Sequence, residues 1–334
     1  MQFARTLPRN LVHRAAIAEV FLTDAERRGE DEILLAAQLP RCHAFYGDTL
    51  TPRGHHDPLL LLEACRQAIF VVAHRWFGVP PDHRFLLRTV EFEVPDPDAL
   101  ATRDTPTEIV VGARIAHRYR DRSGITGLRL DFTATVDGEE AMSARIAYAW
   151  MRPEDYGRLR SRQRRALGLF EPPVAPDGPR VHPALVGRRD PANTVVSPPH
   201  ITGDGRSTAR VVAPATHPTL YDHRVDHVPG MLELEACRQL ALTAAVAAGT
   251  LRTPTALPTA LSARFRRFAE MDPPLQCVAT PVPSRADVEC ALHQLGTTVA
   301  EARIAFAHGG PAGPARLLAG AGQGHAPGTG GTPR

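Results

Sequence analysis

Residues 58–67 read PLLLLEACRQ, and residues 230–239 read GMLELEACRQ. The same Glu-Ala-Cys-Arg-Gln motif, set in an apolar run, is thus written twice, with Glu63 and Glu235 172 positions apart. A repeat of half the chain length indicates two copies of one domain rather than a solenoid of short units. No Pro or Gly interrupts residues 59–77, which is enough chain for a helix of about five turns. Residues three and four apart share a helix face, so Glu63, Arg66, Gln67, Phe70 and His74 form one stripe. In the second copy that stripe is Glu235, Arg238, Gln239, Leu242 and Val246. A helix apolar on nearly its whole circumference has to be covered on nearly every side.

The text on either side of each helix supplies the cover. After the first helix the period changes to two: FLLRTVEFEV, TEIVVGARIAHRYRD, ITGLRLDFTATVDG and EEAMSARIAYAWM read as strands divided by turn signals. Before it, AAIAEVFLTD and EILLAAQLPRCHAFY are strand-like. The second half repeats the order, with RSTARVVAPATHPTLYDH before its helix and ALSARFRRFAEM, LQCVATPV, ADVECALHQL and TVAEARIAFAH after it. The expectation is an α+β chain in which one antiparallel sheet curls round each helix, a double hotdog. We place the first unit at 1–152, an Arg/Pro-rich solvated linker at 153–200, the second unit at 201–309 and a disordered Gly/Pro-rich tail at 310–334.

Composition removes several classes of function. The chain has 334 residues, 43% hydrophobic and 22% charged, which is the range of globular domains. All 39 basic residues are Arg, so a lysine Schiff base or pyridoxal aldimine is excluded. A net charge of +3 gives no reason to expect nucleic acid. No apolar run approaches the roughly 20 residues that span a bilayer, and the N-terminus lacks a cleavage pattern, so a cytoplasmic protein without membrane contact is expected. Five cysteines without ligand spacing argue against a disulfide or zinc framework; Cys65 and Cys237 are expected as buried packers, and no metal is expected. Patterns for nucleotide, zinc-protease and α/β-hydrolase sites are missing.

One stretch is more specific: HRVDHVPGMLELEACRQ resembles the start of the central helix in hotdog dehydratases. The fuller set VHRAAIAEVFLTD, AAQLPRCHAFY, HHDPLLLLEACRQA, HRWFGVP, VGRRDPANTVVSP, HPTLYDH and DHVPGMLELEACRQ resembles the A-factor synthase family of γ-butyrolactone biosynthesis, over residues 12 to 308. The resemblance implies an acyltransferase that joins a β-ketoacyl group, from an acyl carrier protein or coenzyme A thioester, to the hydroxyl of dihydroxyacetone phosphate. It implies no cofactor, since phosphopantetheine enters with the donor. Alternatives are a dehydratase or thioesterase on acyl thioesters, or a non-catalytic double hotdog that binds an acyl ligand or lactone.

The resemblance points to Glu63, Glu235 and Arg238 as catalytic. A Glu whose pKa is raised by apolar surroundings would take the acceptor proton, and Arg238 would hold the phosphate or the developing charge. Gly230 would let the thioester carbonyl approach the free amides at the helix start. His227 is a further catalytic candidate, with His223, His55, Arg66, Gln67, Gln239 and Arg264 as substrate-binding candidates. The competing reading of EACRQ is a buried charge clamp that fixes each helix, since a buried carboxylate and guanidinium are costly unless paired. The copies differ at Pro58 against Gly230 and at His74 against Val246, so one active site, in the second copy, is expected.

Overall fold

The structure is a computed structural model that describes residues 1–51, 54–122, 124–174, 177–283 and 286–307. The tail expected at 310–334 lies outside the described residues. Three α-helices are present among them: α1 (Pro58–Phe77), α2 (Pro153–Ala166) and α3 (Gly230–Ala247). The strands of the first unit are β1 (Leu22–Arg27), β2 (Glu32–Leu39), β3 (Arg84–Glu93), β4 (Thr107–Asp121), β5 (Gly124–Val136) and β6 (Glu139–Met151). Those of the second are β7 (His200–Ile201), β8 (Ser207–Arg210), β9 (Pro258–Phe265), β10 (Gln276–Pro281), β11 (Asp287–Gln294) and β12 (Thr297–Phe306).

All twelve strands form one sheet in the order β1-β2-β4-β5-β6-β3-β9-β12-β11-β10-β8-β7. Its middle is the seam between the units, where β3 and β9 pair antiparallel with Val90 opposite Ala263 and Phe92 opposite Leu261. Alternation along β4, β5 and β11 turns one face of each strand to the helices and the other outward. α1 packs on β1, β2, β5 and β6, and α3 on β8, β10, β11 and β12. Each helix is buried round most of its length, Cys65 and Cys237 included. The fold is the double hotdog that the repeat predicts.

Several expectations change: the strand in EILLAAQLPRCHAFY ends at Leu39, and that in RSTARVVAPATHPTLYDH covers only Ser207–Arg210. In AAIAEVFLTD the strand begins only at Leu22, because Ile17–Glu19 close a 3₁₀ turn whose backbone serves α1. The Arg/Pro-rich segment is solvated in part, 165–168 and 170–172 being exposed, but it packs at Arg160 and over much of 181–197. Arg160 on α2 forks onto Glu270 at 2.6 and 2.8 Å and lies over the Phe268 ring, and Arg164 bridges Glu270 and Asp272. Further on, 3₁₀ turns at Pro183–Val186 and Pro191–Asn193 carry Arg188, which is fully buried against α3. Arg160, Arg164 and Arg188 are held because Asp226, Glu270, Asp272 and Glu235 reach them, partners that spacing along the chain does not reveal.

Candidate active site

Each EACRQ motif closes the same buried network. In the first copy, Glu63 is fully buried and accepts from Arg66 Nε at 2.7 Å and Nη2 at 2.9 Å. A second guanidinium, that of Arg14, reaches Glu63 Oε1 at 2.5 Å and also donates to the Thr219 carbonyl. Gln67 donates to Glu63 and to the Glu19 carbonyl, and accepts from the Phe21 amide. In the second copy, Glu235 accepts from Arg238 at 2.9 and 2.7 Å and from Arg188 Nε at 3.1 Å. Gln239 donates to Glu235 and to the Asn193 carbonyl, and accepts from the Val195 amide.

The rest of the network is exchanged between the units. Asp222 accepts from the amides of Ala15 and Ala16, and Asp48 from those of Arg189 and Asp190. Arg188 donates to the Phe45 carbonyl, just as Arg14 donates to that of Thr219. His43 and His217 each accept two amide protons of the turns that follow them. The arginines from outside the helices, Arg14 and Arg188, were not among the candidates, although LVHR at 11–14 and LVGR at 185–188 mark them as a second repeat.

The ionisation of these carboxylates is the reverse of the sequence expectation. Burial alone pushes Glu63 up, but the charges of Arg14 and Arg66 and their hydrogen bonds outweigh it and hold the group at about 2. Burial acts likewise on Glu235, and Arg188 and Arg238 hold it at about 2. Each carboxylate is fully buried and occupied by charged donors, so neither is free to take a proton from a substrate. Arg238 is 1% exposed and committed to Glu235, so holding a phosphate in this arrangement is excluded. Arg66 differs: its side chain is 15% exposed, and its guanidinium lies 5.2 Å above the Phe70 ring. Gln67 and Gln239 are fully buried fasteners.

The two helix starts are unlike. At α1, Pro58 has no N–H, Asp57 Oδ1 takes the Leu59 amide and the Asp57 carbonyl takes that of Leu60. His55 lines a polar cleft of about 200 Å³ there with His43, His56 and Arg189, and lies 3.5 Å from Asp98. At α3 the cap residue is Pro229, which offers no side-chain acceptor. The amides of Gly230 and Met231 have no acceptor among the described residues, while those of Leu232 and Glu233 bond the Pro229 carbonyl. Both Gly230 and Met231 are half-buried, and a Cβ at Gly230 would stand 3.3 Å from Leu87 Cδ1 and Phe265 Cε1. Open amides at the positive end of a buried helix form an oxyanion-binding feature, and only α3 has it.

Beside that start, His227 Nδ1 lies 2.8 Å from Asp226, which also accepts from the Tyr156 hydroxyl and from Arg160 Nε, and the His227 ring meets Phe268 edge-on. His223 stands beside Asp222 with about half of its side chain exposed; burial of the rest is the main cause that lowers its pKa, Arg14 and Arg66 add to it, and Asp222 opposes. Arg264 is exposed on β9, on the face away from the helices. A further acid went unnoticed in the sequence. Glu233, in the first turn of α3, is 3% exposed, has no partner for Oε2, and is pushed well above the carboxylate range by burial and by Cys237. The first copy has Leu61 at that place. A carboxyl held neutral when folded but ionised when unfolded loses stability as pH rises above the unfolded value. Glu233→Leu is therefore expected to raise the melting temperature at pH 7 and to make no difference near pH 3, as read by thermal denaturation at both values.

The A-factor biosynthesis hotdog domain family matches residues 1–150 and 171–308. The chain is similar to the 2-oxo-3-(phosphooxy)propyl 3-oxoalkanoate synthase of Streptomyces virginiae, 34% identical over 88% of this chain and 95% of that one. It is 31% identical to the protein of that name from Streptomyces coelicolor, over 89% of this chain and 90% of that one. Among solved structures it is similar to the 12:0-ACP thioesterase from Umbellularia californica, 14% identical with a TM-score of 0.49, over 82% of this chain and 97% of that one.

Proposed function

The chain belongs to the A-factor biosynthesis hotdog family, and from that premise we propose that it transfers a 3-oxoacyl group from an acyl carrier protein or coenzyme A thioester to the hydroxyl of dihydroxyacetone phosphate. The relatives' name describes that product, since a 2-oxo-3-(phosphooxy)propyl ester is what dihydroxyacetone phosphate becomes when its hydroxyl oxygen is acylated. The ester serves as precursor of a γ-butyrolactone signal. The proposed reaction takes its phosphopantetheine with the donor, needs no cofactor of its own and runs in the cytoplasm.

The observation that carries the reading is the open start of α3. The thioester carbonyl accepts from the Gly230 and Met231 amides, which stabilise the oxyanion formed when the acceptor oxygen attacks. Arg66, the partly exposed guanidinium of the two motifs, offers a planar fork to the phosphate. Glu63 and Glu235 hold these parts in place.

Purified protein supplied with a 3-oxoacyl thioester and dihydroxyacetone phosphate is expected to form the phosphorylated ester, detected by mass spectrometry. Release of free acid or an enoyl thioester without acceptor would sink the reading. Gly230→Pro copies the first unit: Pro is tolerated at the first helical position, but one donor is lost. Its kcat is expected to fall about 10²–10³-fold with the melting temperature little changed. Gly230→Ala keeps the N–H and makes the same close contact, so it is expected to lose little; equal losses would show that crowding, not the donor, matters.

A further inference from the structure

We propose that His13, oriented by His74, is the general base that takes the acceptor hydroxyl proton, an inference that rests on the acyl-transfer reading. The duplicated fold provides the internal comparison. His13 follows the 3₁₀ turn Arg9–Val12 and stands in the left-handed region at φ 53°. At the matching place the second unit has Gly187 at φ 73°, after the turn Pro183–Val186. Glycine holds this conformation without strain, whereas a side chain there is uncommon and draws notice to what it does. A Cβ on Gly187 would meet the Pro254 carbonyl at 2.7 Å and Leu242 at 2.9 Å, so the second unit has no room for the ring. The first unit instead builds a site round it.

His13 stacks on Phe70 at 4.5 Å and meets Phe85 edge-on at 5.1 Å. Its Nε2 lies 2.8 Å from His74 Nε2, and His74 Nδ1 lies 2.6 Å from the Val79 carbonyl. A carbonyl only accepts, so His74 Nδ1 carries a proton. In the neutral ring Nε2 is then the acceptor, and it takes the proton of His13 Nε2. That leaves the lone pair of His13 on Nδ1, for which there is no partner among the described residues. The chain from carbonyl to His74 to His13 fixes one tautomer, as a third group does behind a catalytic base. In the second unit Leu242 and Val246 fill the places of Phe70 and His74, so packing alone does not need the imidazole pair.

The location suits the reaction. Phe85 and Leu87 are two apart on β3 and share its inner face, and Leu87 Cδ1 would stand 3.3 Å from a Cβ placed on Gly230, at the open start of α3. Burial first, and then the neighbouring His74 and Arg66 on α1, His223 on the loop before α3 and Arg84 on β3, lower His13 to about 3. It is therefore uncharged at neutral pH with its lone pair free, and the phosphate of a bound acceptor opposes those cations and raises it toward the range a general base needs. The acceptor O–H proton moves to Nδ1 as its oxygen bonds the thioester carbon. The tetrahedral intermediate then breaks its C–S bond, and the leaving thiolate takes the proton from His13.

The test is kinetic. His13→Gly, the residue of the second unit, is expected to melt no lower than wild type while kcat falls about 10²–10⁴-fold, with KM for dihydroxyacetone phosphate nearly unchanged and part of the rate restored by added imidazole. His74→Val is expected to lower kcat about tenfold or more. If His13→Gly does not fold, His13→Asn, which also tolerates left-handed backbone, is used in its place. A folded His13 variant that makes ester within threefold of the wild-type kcat, or a loss of rate confined to KM and not rescued by imidazole, overturns the assignment. Failure of wild type itself to make ester is a separate result: it removes the acyl-transfer reading and the inference with it.

Discussion

Glu235→Ala is expected to unfold the second unit at neutral pH, not merely to slow a reaction. Removal of this carboxylate leaves Arg188 and Arg238, which are 0% and 1% exposed, without their anion. Breaking a buried pair from one side costs about 3–5 kcal/mol, and a whole domain is stable by only about 5–15 kcal/mol. Gln239 also loses the partner that sets its amide between the Asn193 carbonyl and the Val195 amide. Glu63→Ala is expected to cost less, because Arg66 is partly exposed and can turn to water. Replacing the whole cluster, as in Glu235→Leu with Arg188→Met and Arg238→Met, is expected to recover much of the loss, since apolar residues of similar volume remove the unpaired charges. Chemical denaturation of the single and triple variants measures both effects. A Glu235→Ala protein with wild-type stability and no activity would return the carboxylate to a chemical role.

Acid is expected to unfold the chain between about pH 4 and pH 2 through the same two residues. Glu63 and Glu235 have folded values of about 2 against an ordinary 4.5. For a depressed acid the contribution is present above the unfolded value and is lost as pH falls through the folded one. Each clamp thus carries on the order of 3 kcal/mol at pH 7, and the two together are comparable with the stability of a domain. Glu233 acts in the opposite direction and softens the transition, because its neutral form is the folded one. Circular dichroism melts from pH 7 to pH 2 should show a plateau down to about pH 5 and then a steep fall. Raised salt should shift this fall little, since the buried pairs are poorly screened, unlike exposed ones such as Arg266–Glu301. A melting temperature that stays level down to pH 2.5 would show that the clamps are not what holds the fold.

Much of the fold is legible because its signals are local. Period-two runs give β3 to β6 and β10 to β12 within a few residues of their observed ends, β9 ends at Phe265, six residues short of the run read for it, and the unbroken stretch from Leu59 gives α1. The error at AAIAEV has a tertiary cause: Glu19 and Phe21 bond Gln67, and that contact fixes a turn where alternation alone reads as strand. Expecting 153–200 to be solvated throughout misses Arg160 and Arg188 for a related reason, because an Arg-rich stretch is solvated or buried according to the carboxylates that reach it. The site is half legible. EACRQ announces a paired charge, Gly230 the helix start, and the His74 to Val246 difference the divergence of the copies. LVHR against LVGR also writes the His13 to Gly187 difference in plain text, but only the left-handed backbone there gives it meaning.

By itself the sequence determines the duplication, the two apolar helices, the antiparallel strands that wrap them, and the resemblance that goes with the paired motifs. Tertiary structure alone decides the charge state of Glu63 and Glu235. A buried carboxyl rises or falls in pKa according to whether a guanidinium closes on it, and the deciding partners, Arg14 and Arg188, lie 49 and 47 residues away along the chain. It also decides which helix start keeps its amides open and which histidine stands beside it. Coulomb forces and hydrogen bonds act over a few ångströms of space, and separations of that kind between distant residues exist only once the sheet has closed round both helices.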